Sequence, residues 1–572
     1  MWEKSEVSIS KNTNSKKFVI CIALGLVGLN TSTNIVVASD YDFTSANSVY
    51  TVEQNIGNVS GIWNINGVVD GDKKSTIDLN GYSGFVVSNV DAALNIKNTA
   101  LKNSIGQVVK MSAGKASFDN VTFTGNEYSS DSSEIKGSVI YNKAAEITKL
   151  SGQFLGNKLS SNTGAVYGGV ITNEDNGKIT SITQSFFSKN IIESNKEAQG
   201  AVIWNSRAAT IGDISAEFSE NEIILNSVDK IGKGGAIYNG ANSIIYNVKG
   251  NFLRNKITAT TAHGGAIYTD NASQITSIAA EFKQNALITV NEGKGAAFYN
   301  YRGQIGDITG NYIENYIKSS SSLVRGGAIF NDKGTINNIQ GYFVGNYVSG
   351  NHAQGGAIQN EGTITGVIES NFINNYAQGA SEAGRGGAIY VGNSYSVGDI
   401  IGDFTGNYAK SLTQKAYGGA ININPNATIG NITGDFSSAA ASTIACIISI
   451  LFTLKAPIAN PSFIDFSNIS FVVTNGIRLP PKIYFMYLIS YLKKERETIE
   501  EMGVEPKNIK QLTCIAYVPA EVVAESRRQH WDKNTYVIPE YSFAFECNDD
   551  IKISKEHTEA LWLSYDDAVK KL

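Results

Sequence analysis

The chain has 572 residues, too many for one ordinary hydrophobic core, so at least two units are expected. Charged residues make up 17% and the net charge is −5, which leaves no electrostatic reason to expect nucleic-acid binding. The average hides a change of character: 29 of the 92 residues from Pro481 to Leu572 are charged, about twice the density before them.

Residues 1–38 have the layout of a secretory signal. Lys11, Lys16 and Lys17 supply a positive flank, Phe18 to Leu29 an apolar run of about 12 residues, and Val36-Val37-Ala38 small residues before a cleavage point. The run is shorter than the roughly 20 residues a membrane helix needs, so export is expected rather than a membrane span. Without a working signal the chain would stay cytoplasmic. Cys21 lies in this run, and the other cysteines are Cys446, Cys514 and Cys547. These spacings match no metal or disulfide framework.

From residue 40 to 436 a block of about 31 residues recurs roughly ten times. Its corner signature reads Gly234-Gly235-Ala236-Ile237-Tyr238-Asn239, and again Gly326-Gly327-Ala328-Ile329, Gly355-Gly356-Ala357-Ile358 and Gly386-Gly387-Ala388-Ile389. A second signature alternates with it, an aromatic residue and then Asn three positions later: Phe252 and Asn255, Phe282 and Asn285, Tyr312 and Asn315, Phe343 and Asn346, Phe404 and Asn407. A fixed period of this length means a solenoid. Short β-rich runs broken by Gly, Asn and Asp, with no sustained 3.6-residue period, predict strands rather than helices. The period suits a parallel β-helix with three short strands and three corners per coil, each Ile, Phe and Asn stacked over its counterpart about 4.8 Å away. Asn would then form an amide ladder, and Gly-Gly a corner needing positive φ. Ten coils at that spacing make a rod about 45–50 Å long. Ser75 to Asn80 and Ala93 to Asn98 read as atypical capping coils.

These paired motifs resemble the passenger repeats of polymorphic outer-membrane proteins and related autotransporter adhesins over about residues 40–436. The resemblance implies a right-handed β-helix shown at, or released from, a Gram-negative surface, with a host-surface or glycan ligand. Such proteins end in a membrane β-barrel, whereas this chain ends Val569-Lys570-Lys571-Leu572, so a barrel anchor of its own is not expected. Polysaccharide chemistry on the rod would need acids or a base that break the repeat. Asp213, Asp307 and Asp399 sit at equivalent repeat positions and read as corner residues, Asp70-Gly71-Asp72 reads as a loop, and His263 and His352 have no matching acid nearby in sequence.

Residues 437–482 fit neither neighbour. Thr443 to Leu454 is apolar, and Pro457 and Pro461 follow, which reads as a buried strand or irregular linker rather than a membrane span. Beyond it, Arg496-Glu497-Thr498-Ile499-Glu500-Glu501-Met502-Gly503 sets three carboxylates at i, i+3 and i+4, one face of a helix. Clustered hard oxygen ligands suit Mg²⁺ or Mn²⁺ holding a diphosphate. This run is similar to the second half of the Nudix box, and residues of about 485–572, including a strand from Tyr536 to Phe545, are like the family's later part. The resemblance implies Glu497, Glu500 and Glu501 as metal ligands and Arg496 as the residue orienting the carboxylates, with Arg496, Glu500 and Glu501 catalytic. Lys482 and Leu488 stand where the family's box has Gly and Glu, so residues 483–572 read as a truncated Nudix-type domain.

The fold class expected is therefore mainly β: a right-handed parallel β-helix solenoid of about 31-residue coils, followed by a small incomplete α/β, Nudix-like segment. The function expected is that of an exported, adhesin-like protein with an inactive partial Nudix tail. The alternative is a Mg²⁺-dependent hydrolase of nucleoside-diphosphate derivatives with the β-helix as accessory. A fusion of two unrelated reading frames across the junction would account for the mismatch between an exported rod and a nucleotide-directed tail.

Overall fold

In the computed structural model, the described residues are 40–437 except 321, 322 and 415, then 440–442, 507–519 and 537–546. The signal-like segment 1–38, most of the junction 437–482, and Arg496, Glu497, Glu500 and Glu501 lie outside them. The chain divides into two units, Met1–Ser462 and Phe463–Leu572. In the second, Lys507–Pro519 and Val537–Glu546 pair as an antiparallel hairpin.

Unit one is a parallel β-solenoid of about 12 coils, and no helix occurs among its described residues. At about 4.8 Å per coil the stack is roughly 55–60 Å long. That exceeds the sequence expectation because the first coils join the stack without carrying the repeat motif. Lys73–Asp78 and Ala93–Lys97 pair in parallel with later strands, as the capping reading expects. Around them the coil is shorter, Ser104 and Asn126 being successive ladder positions only 22 residues apart. The later coils run from 29 to 34 residues.

A typical coil has four strand segments rather than three: Ile237–Asn239, Ile244–Leu253, Lys256–Ala259 and Thr261–His263. The long segment turns a corner within itself. Ile245 and Val248 both point inward although three residues apart, and Phe252 follows four later, at odds with the two-residue alternation of a straight strand. The stretch between the repeat Asn and Gly-Gly forms the last two segments. Their inward residues build a second, smaller core that includes Ile223, Ile257, Leu287, Ile317 and Val348. Coil length varies instead in the turn joining those segments, where Val228, Val290 and Leu412 are exposed.

The main core is a set of columns. Phe123, Phe154, Phe187, Phe218, Phe252, Phe282, Tyr312, Phe343, Phe372, Phe404 and Phe436 stack face to face with centroids 4.5–5.1 Å apart. Three residues on, the Asn side chains form the expected ladder from Asn126 to Asn407. Asn285 is typical: its Nδ2 donates to Asn315 Oδ1 at 2.9 Å and to the Phe252 carbonyl at 2.8 Å, while its Oδ1 accepts from Asn255 Nδ2 at 3.0 Å. Burial of so many amides is tolerated because each is bonded to the coils on both sides.

At the Gly-Gly corner the two glycines have different reasons. Gly234 has φ +67°, which side chains disfavour. Gly235 has an ordinary φ, but a Cβ there would collide with the Gly265 carbonyl of the next coil.

Candidate functional site

The Gly-Gly corner is concave. Residues five apart across it meet outside the core, as where Trp204 Nε1 donates to Gln199 Oε1 at 2.7 Å. Stacking repeats this meeting along the rod. One wall is the column Lys136, Tyr167, Gln199, Lys233, His263, Lys294, Arg325, Gln354 and Arg385. The floor carries Trp204, Tyr238, Tyr268, Tyr299 and Phe330, a cluster separate from the core and at most 5% exposed.

Several polar groups of this seam pair within it, whereas Arg325 Nε, Gln359 Oε1 and Arg385 Nε are buried without a hydrogen-bond partner among the described residues. Tyr141 donates to Glu174 at 2.6 Å, Tyr238 to Asp270 at 2.5 Å and Tyr299 to Asp332 at 2.7 Å, each acid coming from the next coil. Burial pushes these tyrosine hydroxyls well above their ordinary range, and the neighbouring carboxylates add to it. Glu174 is almost fully buried and pairs with Lys136 at 2.7 Å and Arg207 at 3.3 Å. Lys294 lies 3.1 Å from Glu292 and 5.9 Å from the Tyr299 ring centroid.

His263 lies in this wall and His352 two residues before Gln354 on the same strand, and each meets an acid that the sequence does not place near it. His263 Nε2 is 3.5 Å from Glu292 and His352 Nδ1 is 3.2 Å from Glu382. Each pair joins residues one coil apart, so the partner is distant in sequence. Burial holds His263 down to about 4, so its ring is neutral at pH 7. Burial would raise Glu292, but His263 and Lys294 beside it outweigh that and hold it down to about 2. The His263 Nε2 atom is enclosed, with no surface for a substrate to reach. The seam is a packed structural joint.

The repeat acids behave as corner residues. Asp213 accepts from Asn247 Nδ2 at 2.6 Å, Asp307 from Asn337 and Asn338 at 2.7 and 2.8 Å, and Asp399 from the Asn431 backbone at 2.7 Å. Asp70-Gly71-Asp72 is the turn of a small hairpin in which Asp70 pairs with Lys73. Among the described residues, no group of three or more His, Cys, Asp or Glu is placed to hold a metal.

A second outward face went unnoticed in the sequence. The residue after the ladder Asn is Tyr in four successive coils, Tyr316, Tyr347, Tyr376 and Tyr408, in register and half-buried. Their rings stack at 5.1, 4.6 and 4.8 Å within 6° of parallel. Lys318 sits 5.2 Å from the Tyr316 centroid and 5.9 Å from that of Tyr347. The Asn-Tyr dipeptide repeated in four copies was the available signal. Set against known proteins, the chain matches no family model, no curated protein and no solved structure.

Proposed function

We infer that this protein is an exported, adhesin-like rod whose lateral surface meets its ligand. The observation that carries this reading is the division of labour within each coil. Inward positions repeat the same Ile, Phe and Asn, while most outward positions change from coil to coil on an unbroken stack. Such a scaffold holds different side chains at fixed spacing over a long surface, which is how solenoids present binding faces. The charged flank, apolar run and small residues of 1–38 support export. Expression of the full chain in a Gram-negative host tests this. The expected product begins after Ala38 by intact mass and is labelled by antibody on unbroken cells. A product that keeps Met1 and is reached only after permeabilisation overturns it.

A second reading, a Mg²⁺-dependent Nudix-type hydrolase, rests on the resemblance of Arg496 to Gly503 to the second half of the Nudix box. In that reading Glu497, Glu500 and Glu501 would hold Mg²⁺ or Mn²⁺ and Arg496 would orient them. Its test is turnover of nucleoside-diphosphate derivatives by the full chain, abolished by Glu500→Gln.

A further inference from the structure

The third strand segment of each coil has one outward face, and its chemistry changes along the rod. In the N-terminal half that face neutralises itself: Lys158 pairs with Glu193 at 2.6 Å and Lys256 with Glu222 at 2.7 Å. From Tyr316 to Lys410 the outward residues are Tyr316 and Lys318, Tyr347 and Ser349, Tyr376 and Gln378, Tyr408 and Lys410. These eight positions include no carboxylate. Lys318 is exposed, and neither it nor Lys410 has an ion-pair partner among the described residues.

The tyrosines here differ from three of the seam. The hydroxyls of Tyr141, Tyr238 and Tyr299 are spent on Glu174, Asp270 and Asp332, whereas none of the four hydroxyls of this row has a protein partner among the described residues. Because the rings cover one another face to face, a ligand cannot stack on them. It meets ring edges and a row of hydroxyls, each able to donate and to accept. The row repeats once per coil along the rod, a step of the same order as one sugar residue in an extended glycan. A lysine at either end adds positive charge to eight positions that hold no acid, with the exposed Glu314 at their edge accepting from Gln284 at 2.8 Å.

We propose that the Tyr316–Tyr347–Tyr376–Tyr408 face binds an extended acidic polysaccharide laid along the rod axis. Sugar hydroxyls engage the tyrosine hydroxyls, and carboxylate or sulfate groups lie near Lys318 and Lys410. The proposal rests on the reading of the rod as a binding protein and names its ligand class.

The test is calorimetry with the full chain and three decasaccharide-length probes: hyaluronan for carboxylates, chondroitin sulfate for sulfates, and a neutral cello-oligosaccharide. At least one acidic probe is expected to bind saturably, more weakly as salt rises, and the neutral one to bind more weakly than it. Tyr347→Phe/Tyr376→Phe keeps the ring stack and removes only hydroxyls, and is expected to cost about tenfold in affinity. Lys318→Ala/Lys410→Ala should weaken acidic probes and leave the neutral one unchanged, while Lys158→Ala/Lys256→Ala should change neither. No saturable binding of either acidic probe, or wild-type affinity in the double Tyr→Phe variant, overturns the proposal. An exported chain that fails these assays sinks this inference and leaves export standing; a chain retained inside cells that passes them does the reverse.

Discussion

Tyr312 occupies a phenylalanine position in the inner aromatic column, and its hydroxyl is buried with no hydrogen-bond partner. An orphaned buried hydroxyl costs about 1–3 kcal/mol, and removing it leaves the ring stack intact. Tyr312→Phe is therefore expected to raise stability by about 1–2 kcal/mol, seen as a higher urea midpoint, and a lower midpoint would contradict this. His263 supplies a pH dependence. Burial depresses its folded pKa to about 4, below the ordinary 6.5. The unfolded chain thus takes up a proton as pH falls through 6.5 while the folded chain does not, so stability drops between pH 6.5 and 4. His352, lowered by burial too, acts in the same direction. Glu292, depressed to about 2, keeps its contribution above 4.5 and loses it only below. Urea midpoints at pH 7 and pH 5 should therefore differ, and His263→Gln should shrink the difference. An unchanged difference would show that His263 is not the group responsible.

At the scale of the coil, two kinds of asparagine ladder look alike on paper and differ in consequence. Asn285→Ala removes a fully buried amide and leaves the Asn255 backbone N–H without its acceptor. The expected loss is about 2–4 kcal/mol. Asn247 makes a similar chain on the surface, donating to Asp213 and accepting from Ser277 at 2.7 Å, where water can replace either partner. Asn247→Ala should cost less than about 1 kcal/mol. Equal losses measured by chemical denaturation would refute the distinction. The inner ladder was legible in the sequence because aromatic-x-x-Asn holds a constant phase through most copies. So was the Gly-Gly corner, since both glycines answer to the backbone alone. The fourth strand segment was not legible, because Lys256 to His263 looks irregular until its alternate inward residues are seen to fill a second core. The His263–Glu292 pair was hidden for a related reason: coils of 29 to 34 residues do not reveal which side chains lie over one another. The tyrosine face follows from two-residue alternation, which turns the residue after a buried Asn outward. It was not legible because the same position holds Glu127, Lys158, Ile191, Glu222, Lys256 and Ala286 in earlier coils, so no signature runs through it.

Across the whole molecule, the described residues from 40 to 442 are a scaffold of stacked columns on which most outward side chains are the variable part. Coils that contact only their neighbours tolerate such variation, since an outward substitution alters one coil and its two interfaces. The carboxylates expected at Glu497, Glu500 and Glu501 stand outside the described residues, so rod and tail make separable claims about activity. Saturable binding of labelled full-length protein to mammalian cells is the most direct measurement of which one carries function. If the rod does, Glu500→Gln/Glu501→Gln binds with the affinity of the parent chain. Absence of saturable binding by the parent chain, or its loss in that tail variant, would contradict the rod as the functional part.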